Sequence, residues 1–538
     1  MTTNFQPTAL AAFALLIIAL VYFYRIDSPP LWGDEADTGV EALHILTHGY
    51  PIAYDGRNVS IFENGSQLNR DLVCNKIPWT QYYIGALSLL IFGNNTLGLR
   101  ALFAFIGVLS FFPIYDILRS RVTYPAIIAV LILTAPQVVL FQRNARYYPL
   151  LILLYAVLVW HLSRKFKSSR KHLALASLIF VLLFETHPFA AMCTSLSLIA
   201  FCLFCRREVL ASYSCACGVG FASWFVWSQL LGPSLADTKL PISLIQTNFS
   251  QWFAIFGAGL WAAIVDMDAV NCFPILLWVV LLLVLFIRNR DALRKLSQEP
   301  LYAFVFLNIL IQTVASASIF GYETGAQYAL LRYQPHLLVF GLVITFMLLD
   351  TVVASKSLYV LAGIFIVTFN FLTLTFWVQP LARSVPSSWL FPVYAEIFSP
   401  RENAWDQVIR QLGSESDNTY SSDVPMVTLP PWTQDIAIFY LGDRYLIRPI
   451  LQDPDTKPMQ ALRRTIDGQA LNSLFGQPEW IVDFLDDLKT APAGYKIATV
   501  IPSHQARPDD GSRPELTRHA FPQPSVVGNV KLFRLQKN

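Results

Sequence analysis

TALAAFALLIIALVYFYRIDSPPLWGDEA, residues 8–36, is the stretch that decides the fold. From Thr8 to Tyr24 it carries no charge and has the length of a helix that crosses about 30 Å of hydrocarbon. It then turns through Arg25, Asp27, Pro29 and Pro30 to an adjacent pair of carboxylates, Asp34 and Glu35. No basic residue precedes the run and no small-x-small cleavage signal stands before Arg25, so the run is expected to be a retained helix and not a removed signal peptide.

The rest of the chain repeats the pattern. Of 538 residues 54% are hydrophobic and only 14% charged, with a mean hydropathy of +0.47, far more apolar surface than one soluble core can use. Apolar runs predict about eleven spans, near Thr8–Tyr24, Leu97–Leu118, Tyr124–Phe141, Tyr148–Leu162, His172–Thr186, Pro188–Phe204, Val209–Leu231, Cys272–Ile287, Leu301–Phe320, Tyr328–Leu349 and Leu358–Val378. With a cytoplasmic N-terminus, Arg119/Arg121, Arg164/Lys165/Lys167/Arg170/Lys171, Arg206/Arg207, Arg288/Arg290/Arg294/Lys295 and Lys356 all fall inside, as the positive-inside rule expects. The long loop of residues 25–96, the short loop around Arg143 and Arg146, and everything after Pro380 then lie outside. The expected organisation is a membrane domain over residues 1–379 and a soluble extracytoplasmic domain over 380–538.

Glu41–Thr47, Trp79–Phe92 and Phe249–Ile264 are apolar-rich but too short or interrupted to span, and suit helices lying in the interface. After Pro380 a helix is expected at Asn403–Leu412, with strands at Met426–Leu429, Ile436–Leu441, Trp480–Phe484 and Val530–Leu535, a small α/β domain. No glycine fingerprint follows a strand there, so nucleotide binding has no support. A net charge of +3 with scattered basic residues excludes a nucleic-acid partner. Six of the seven cysteines fall in or beside apolar helices, which argues against a disulfide framework, and Cys202 and Cys205 read as small apolar residues one helical turn apart.

Asp34 and Glu35 carry the most chemistry. An adjacent acidic pair in a loop is ordinarily a surface feature, but the approach through Pro29, Pro30, Trp32 and Gly33 is stiff and apolar, at a level where an ionisable group is expensive. A carboxylate there could accept a proton from an acceptor hydroxyl. Its electrophile would be a glycosyl phosphate, whose leaving group needs cations. Lys76, Arg143, Arg146 and Arg332 lie on the expected outer side, each alone no more than a snorkelling interfacial cation but jointly placed where basic residues are otherwise scarce. His187, beside Glu185 at the turn before the sixth span, reads first as a hydrogen-bonded structural histidine, with acceptor or metal binding as the alternative. Glu41, His44 and His48 show no metal signature and read as interfacial polar residues.

In this order the motifs resemble those of the bacterial integral membrane glycosyltransferases of the C-type fold, related to the protein O-mannosyltransferases and the lipid A aminoarabinose transferases. The likeness runs through Asp34-Glu35, Lys76-x-Pro78, Phe92-Gly93, Leu99-Arg100, Arg143-x-x-Arg146-x-Tyr148, Thr186-His187-Pro188 and Arg332-Tyr333. It implies an all-α polytopic bundle with a small C-terminal α/β domain in a bacterial inner membrane. It also implies inverting transfer of a sugar from a polyprenyl-phosphate donor to a protein, glycan or lipid acceptor. Asp34, with Glu35, would be catalytic; Lys76, Arg143, Arg146 and Arg332 would hold the donor phosphate; Tyr148, His187 and Tyr333 would line the substrate. No cofactor is required, and a divalent cation is left open. The rival classes are a transporter or flippase, which would place ionisable groups at the midplane in related halves, and a membrane scaffold whose C-terminal domain carries the activity.

Overall fold

The computed structural model describes residues 9–60, 67–75, 77–164, 170–233, 275–288, 299–319, 333–368, 394, 397–398, 404–416, 426–429, 433–449, 480–483, 495–506 and 528–537. Lys76, Arg332 and the segment Phe249–Ile264 lie outside them. The chain divides into two compact units: residues 1–24, 103–226 and 240–395 form one, and residues 25–102, 227–239 and 396–538 the other. The first loop therefore folds with the C-terminal segment, a grouping that a single cut near Gln379 does not express.

The first unit is a helical bundle. Its helices are α1 (Ala9–Phe23), the latter part of α4 (Thr96–Leu109), α5 (Phe111–Leu118), α6 (Pro125–Leu133), α7 (Pro136–Gln142), α8 (Tyr148–Arg164), α9 (Arg170–Phe184) and α10 (Pro188–Cys205). After these come α11 (Leu210–Leu230), α12 (Ile275–Arg288), α13 (Pro300–Ile319), α14 (Pro335–Val352) and α15 (Lys356–Thr368). Of the expected spans one is kinked and another divided, each near a proline. Pro113 has no N–H for the Leu109 carbonyl, and α4 gives way to α5 at Ser110; Pro136 likewise stops α6 and starts α7. Helix α14 is buried at every position from Pro335 to Leu349 and packs against α8, α12 and α13, as a mostly apolar helix surrounded by others does. Where α11 meets α9, a Cβ on Gly220 would lie 2.8 Å from the Phe180 backbone, so only a residue without one permits that approach.

Outward-facing positions are equally apolar: Phe204 is 75% exposed and Leu230 80%. Such side chains suit hydrocarbon, not water. Among the described residues four helices are long and apolar enough to cross a membrane, Thr96–Leu118, Pro188–Cys205, Arg207–Leu230 and Pro335–Val352, and five shorter apolar helices accompany them. The chain is a mostly helical, multi-pass membrane protein in type.

The second unit holds α2 (Gly33–His48), α3 (Thr80–Phe92), the first turns of α4, α16 (Ala404–Ser416), α17 (Gln434–Leu441) and a five-stranded sheet. The strands β1 (Met426–Leu429), β2 (Leu446–Pro449), β3 (Trp480–Asp483), β4 (Tyr495–Ala506) and β5 (Gly528–Lys537) lie in the order β2-β1-β3-β5-β4. Strand β1 runs parallel to β2 and β3, and β5 antiparallel to β3 and β4. Residues 436–441, expected as a strand, belong instead to helix α17. The run Ile-Ala-Ile-Phe-Tyr-Leu has no period of its own, and it is the crossover that two neighbouring parallel strands require between them. Strand β4 escaped the sequence reading because Pro502 interrupts it; the ladder absorbs the proline at a register shift between Ile501 and His504.

Candidate active site

Asp34 and Glu35 are not in a loop but in the first turn of α2, where carboxylates meet the positive end of the helix dipole. The helix contains the expected segment Glu41–Thr47 but begins well before it, at Gly33, and a left-handed Gly49 (φ 85°) ends it. Glu35 is fully buried, and Arg100 from α4 grips it from two sides, Nε to Oε1 at 2.9 Å and Nη2 to Oε2 at 2.5 Å. The same guanidinium donates to the carbonyls of Ile26 (3.0 Å), Pro29 (2.7 Å) and Pro30 (3.3 Å). All the rigidity of the approach segment thus converges on one arginine, a bidentate pair that fixes the backbone leading to Asp34. Asp34 itself is half-buried, with a side chain that keeps access to solvent. Of two adjacent carboxylates, Glu35 is the buried one that Arg100 holds, and Asp34 is the one that is only half-buried.

Behind Asp34 stands a second row of acids. Asp37 and Glu41 follow it at helical spacing on one face of α2, and both are buried. Tyr82 from α3 donates to Asp37 Oδ2 at 3.2 Å. Asp435 from α17 is buried against them and accepts from Ser60 Oγ at 2.7 Å. Close packing of α17 on α2 is possible because Gly39 has no Cβ, which would stand 2.6 Å from the Phe439 ring. Burial, with the charges of Asp37 and Asp34 beside it, pushes the Asp435 carboxyl up to about 7. Burial, Asp37 and Asp435 push Glu41 up as well. His44, 3.9 Å from Glu41, is lowered to about 4 by burial, so at neutral pH the imidazole is uncharged and the contact is not an ion pair. Among the described residues no group of three His, Cys, Asp or Glu is placed to hold a metal ion.

This row makes stability depend on pH. Folded Asp435 titrates near 7 and an unfolded aspartate near about 3.9, so between those values the folded chain holds the extra proton. By linkage, stability falls as pH rises through that window and levels off above it. Asp435→Asn is expected to flatten the slope and raise the unfolding temperature at pH 7.5, as read by scanning fluorimetry at pH 5 and 7.5. An unchanged slope would place the titration elsewhere.

The helical unit carries the other group of sequence-chosen residues. Arg143 turns Nη1 to the carbonyls of Val21 (2.7 Å), Tyr22 (3.1 Å) and Tyr24 (2.8 Å), capping the end of α1. The buried Arg146 guanidinium lies 5.8 Å from the Tyr147 ring centroid. The Tyr147 ring in turn meets Tyr148 (4.6 Å) and His187 (4.5 Å), and His187 meets Tyr333 (5.8 Å). Arg146, Tyr148 and His187 are thus brought together around the Tyr147 ring, and Tyr333 joins them through His187. His187 is also the N-cap of α10, its Nδ1 accepting from the Ala190 N–H at 3.0 Å. His187→Asn, which keeps a cap acceptor, is expected to retain stability, and His187→Ala to lose about 0.5–2 kcal/mol. Thermal unfolding of both variants checks this, and equal loss would mean the ring, not the cap, matters.

Sequence reading missed Arg100 as an anchor, Asp37, Glu41 and Asp435 as a buried row, and a polar face on α13. The spacings 34/37/41 in α2 and 308/312/316 in an otherwise apolar helix were the available signals; Asp435 had none.

No family model matches the chain, and no curated protein matches it in sequence. Solved structures do. ArnT from Cupriavidus metallidurans bound to undecaprenyl phosphate is similar at a TM-score of 0.55 and 12% identity, covering 98% of this chain and 98% of that one. Its apo state gives 0.51 and 13%, covering 97% of each. The archaeal oligosaccharyltransferase AglB from Archaeoglobus fulgidus, in complex with an inhibitory peptide and a dolichol-phosphate, gives 0.44 and 10%, covering 88% of this chain and 69% of that one. At such identities the likeness to ArnT is one of fold, and it runs the length of both chains: the architecture is the C-type one that the motifs implied.

Proposed function

We propose that the chain is a glycosyltransferase that moves a sugar from a polyprenyl-phosphate donor to an acceptor hydroxyl at the outer face of a bacterial inner membrane, with inversion. The observation that carries this reading is the contrast at the start of α2, where Arg100 holds the fully buried Glu35 while its neighbour Asp34 is half-buried. The ArnT fold, seen there with undecaprenyl phosphate, supports the class of donor. Fold alone would not suffice, because folds host many activities.

In the proposed step the acceptor O–H gives its proton to Asp34 as its oxygen bonds to the anomeric carbon. The bond from that carbon to the phosphate oxygen breaks on the opposite side, and polyprenyl phosphate leaves. Glu35 is a positioning residue, holding α2 through Arg100. Lys76, Arg146 and Arg332 are assigned to the phosphate by motif position, to stabilise charge as it develops. Arg143, engaged at the end of α1, is assigned to holding the start of the Arg146 loop. Tyr148, His187 and Tyr333 are assigned to the substrate, and the acceptor is a protein, glycan or lipid.

The test is transfer of labelled sugar in membranes from polyprenyl-phosphate donors. The intact chain and a Lys76→Ala variant are compared, with a loss of at least tenfold expected for the variant. Movement of substrate across the membrane without transfer would favour a transporter.

A further inference from the structure

The geometry points to a binding site for sugar hydroxyls inside the helical unit, built from Asn308 and Gln312 on α13 and Gln334 and His336 at the start of α14. This rests on the reading of the chain as a lipid-linked sugar transferase and names where that sugar would be recognised.

All four side chains are buried, with exposures of 0%, 0%, 3% and 0%. Their N–H groups are used. Asn308 Nδ2 donates to Tyr155 Oη (2.9 Å) and Thr194 Oγ1 (3.2 Å), Gln312 Nε2 to the Tyr333 carbonyl (2.7 Å), and Gln334 Nε2 to Ser316 Oγ (3.0 Å). Their oxygens are not: Asn308 Oδ1, Gln312 Oε1 and Gln334 Oε1 have no donor, and neither nitrogen of His336 has a partner. The residues form one cluster. Asn308, Gln312 and Ser316 share a face of α13 at four-residue spacing, Gln312 and Gln334 join that face to residues 333–336, and the His336 ring lies 4.7 Å from the Tyr155 ring that Asn308 bonds.

Amides in membrane helices commonly serve as glue between helices. Glue explains the three donating N–H groups but not three buried carbonyl oxygens left without a donor, since buried polar atoms are nearly always paired. What fits them is a ligand rich in O–H donors. Among the described residues no carboxylate, lysine or arginine belongs to the cluster, and its groups are those that recognise neutral hydroxyls. An imidazole in its uncharged form offers one acceptor and one donor, and His336 would so match a hydroxyl that both gives and takes a bond. The Tyr155 ring, 4.7 Å from His336, adds an aromatic group to a composition suited to a neutral polyol.

The experiment measures binding to the full chain in nanodiscs by native mass spectrometry. The probes are undecaprenyl phosphate and the same lipid phosphate carrying mannose, glucose, galactose, N-acetylglucosamine or 4-amino-4-deoxy-arabinose. At least one sugar-bearing lipid is expected to bind more tightly than the bare phosphate. Gln312→Met and Asn308→Leu are each expected to weaken that ligand at least tenfold while moving the bare lipid less than twofold. Equal weakening of both ligands, or of neither, overturns the proposal while leaving the transfer reading standing. Should these variants fail to fold, deoxy analogues of the preferred donor on the wild-type chain decide: loss of affinity on removing single hydroxyls supports it, and unchanged affinity, the result if the cluster holds only water, sinks it. If no sugar-bearing lipid is bound or transferred at all, both readings fall.

Discussion

Asp34→Asn is expected to abolish most sugar transfer, by about 10²–10⁴-fold, the usual contribution of a general base. The substitution preserves shape, and the Asp34 backbone carbonyl that accepts from Thr38 Oγ1 is untouched by it. Loss of the favourable charge at the start of α2 costs about 0.3–1 kcal/mol. The signature is therefore a collapse of the rate with the unfolding temperature nearly unchanged, measured as labelled transfer and scanning fluorimetry on one preparation. Transfer within twofold of wild type would remove Asp34 from the chemistry and with it the mechanism proposed above.

Arg100→Met should do the reverse, striking stability first. Removing one partner of a buried ion pair leaves a carboxylate in a place that cannot solvate it, which costs about 3–5 kcal/mol. The three backbone carbonyls of Ile26, Pro29 and Pro30 lose their donor as well. Replacing Glu35 and Arg100 together, both by Met, should recover a good part of the loss, because no charge is then stranded; the remainder measures the carbonyl contacts. Thermal unfolding of the two single variants and the double gives the coupling. Strict additivity would show that Glu35 and Arg100 do not depend on each other, and the anchoring role assigned to the pair would go.

The parts of the fold that read correctly from sequence are those written in contiguous residues. Apolar runs such as Pro188–Phe204 and Val209–Leu231 appear as helices α10 and α11 within a few residues, and Met426–Leu429 is the strand it was expected to be. Trouble came where one local pattern has two solutions. The run Ile436–Leu441 is equally apolar as strand or helix, and only its place between β1 and β2 makes it a crossover. Prolines misled in both directions, splitting apolar runs that looked continuous at Pro113 and Pro136, and hiding a strand at Pro502 that a bulge accommodates.

The candidate residues divide the same way. Asp34 and Glu35 stood out in sequence as a pair, yet nothing in the sequence says that Glu35 would be sealed by an arginine 65 positions away while its neighbour stays half-buried. Nor does any local signal announce Asp435, whose partner Ser60 lies 375 residues earlier. That the chain is a multispan helical bundle with acids and cations gathered at loops is determined by composition and spacing alone, because transfer of a residue into hydrocarbon is a property each segment carries with it. Which of those groups are spent on structure and which keep access to solvent was decided only by tertiary packing, since desolvation and pairing depend on what the folded chain places beside each charge.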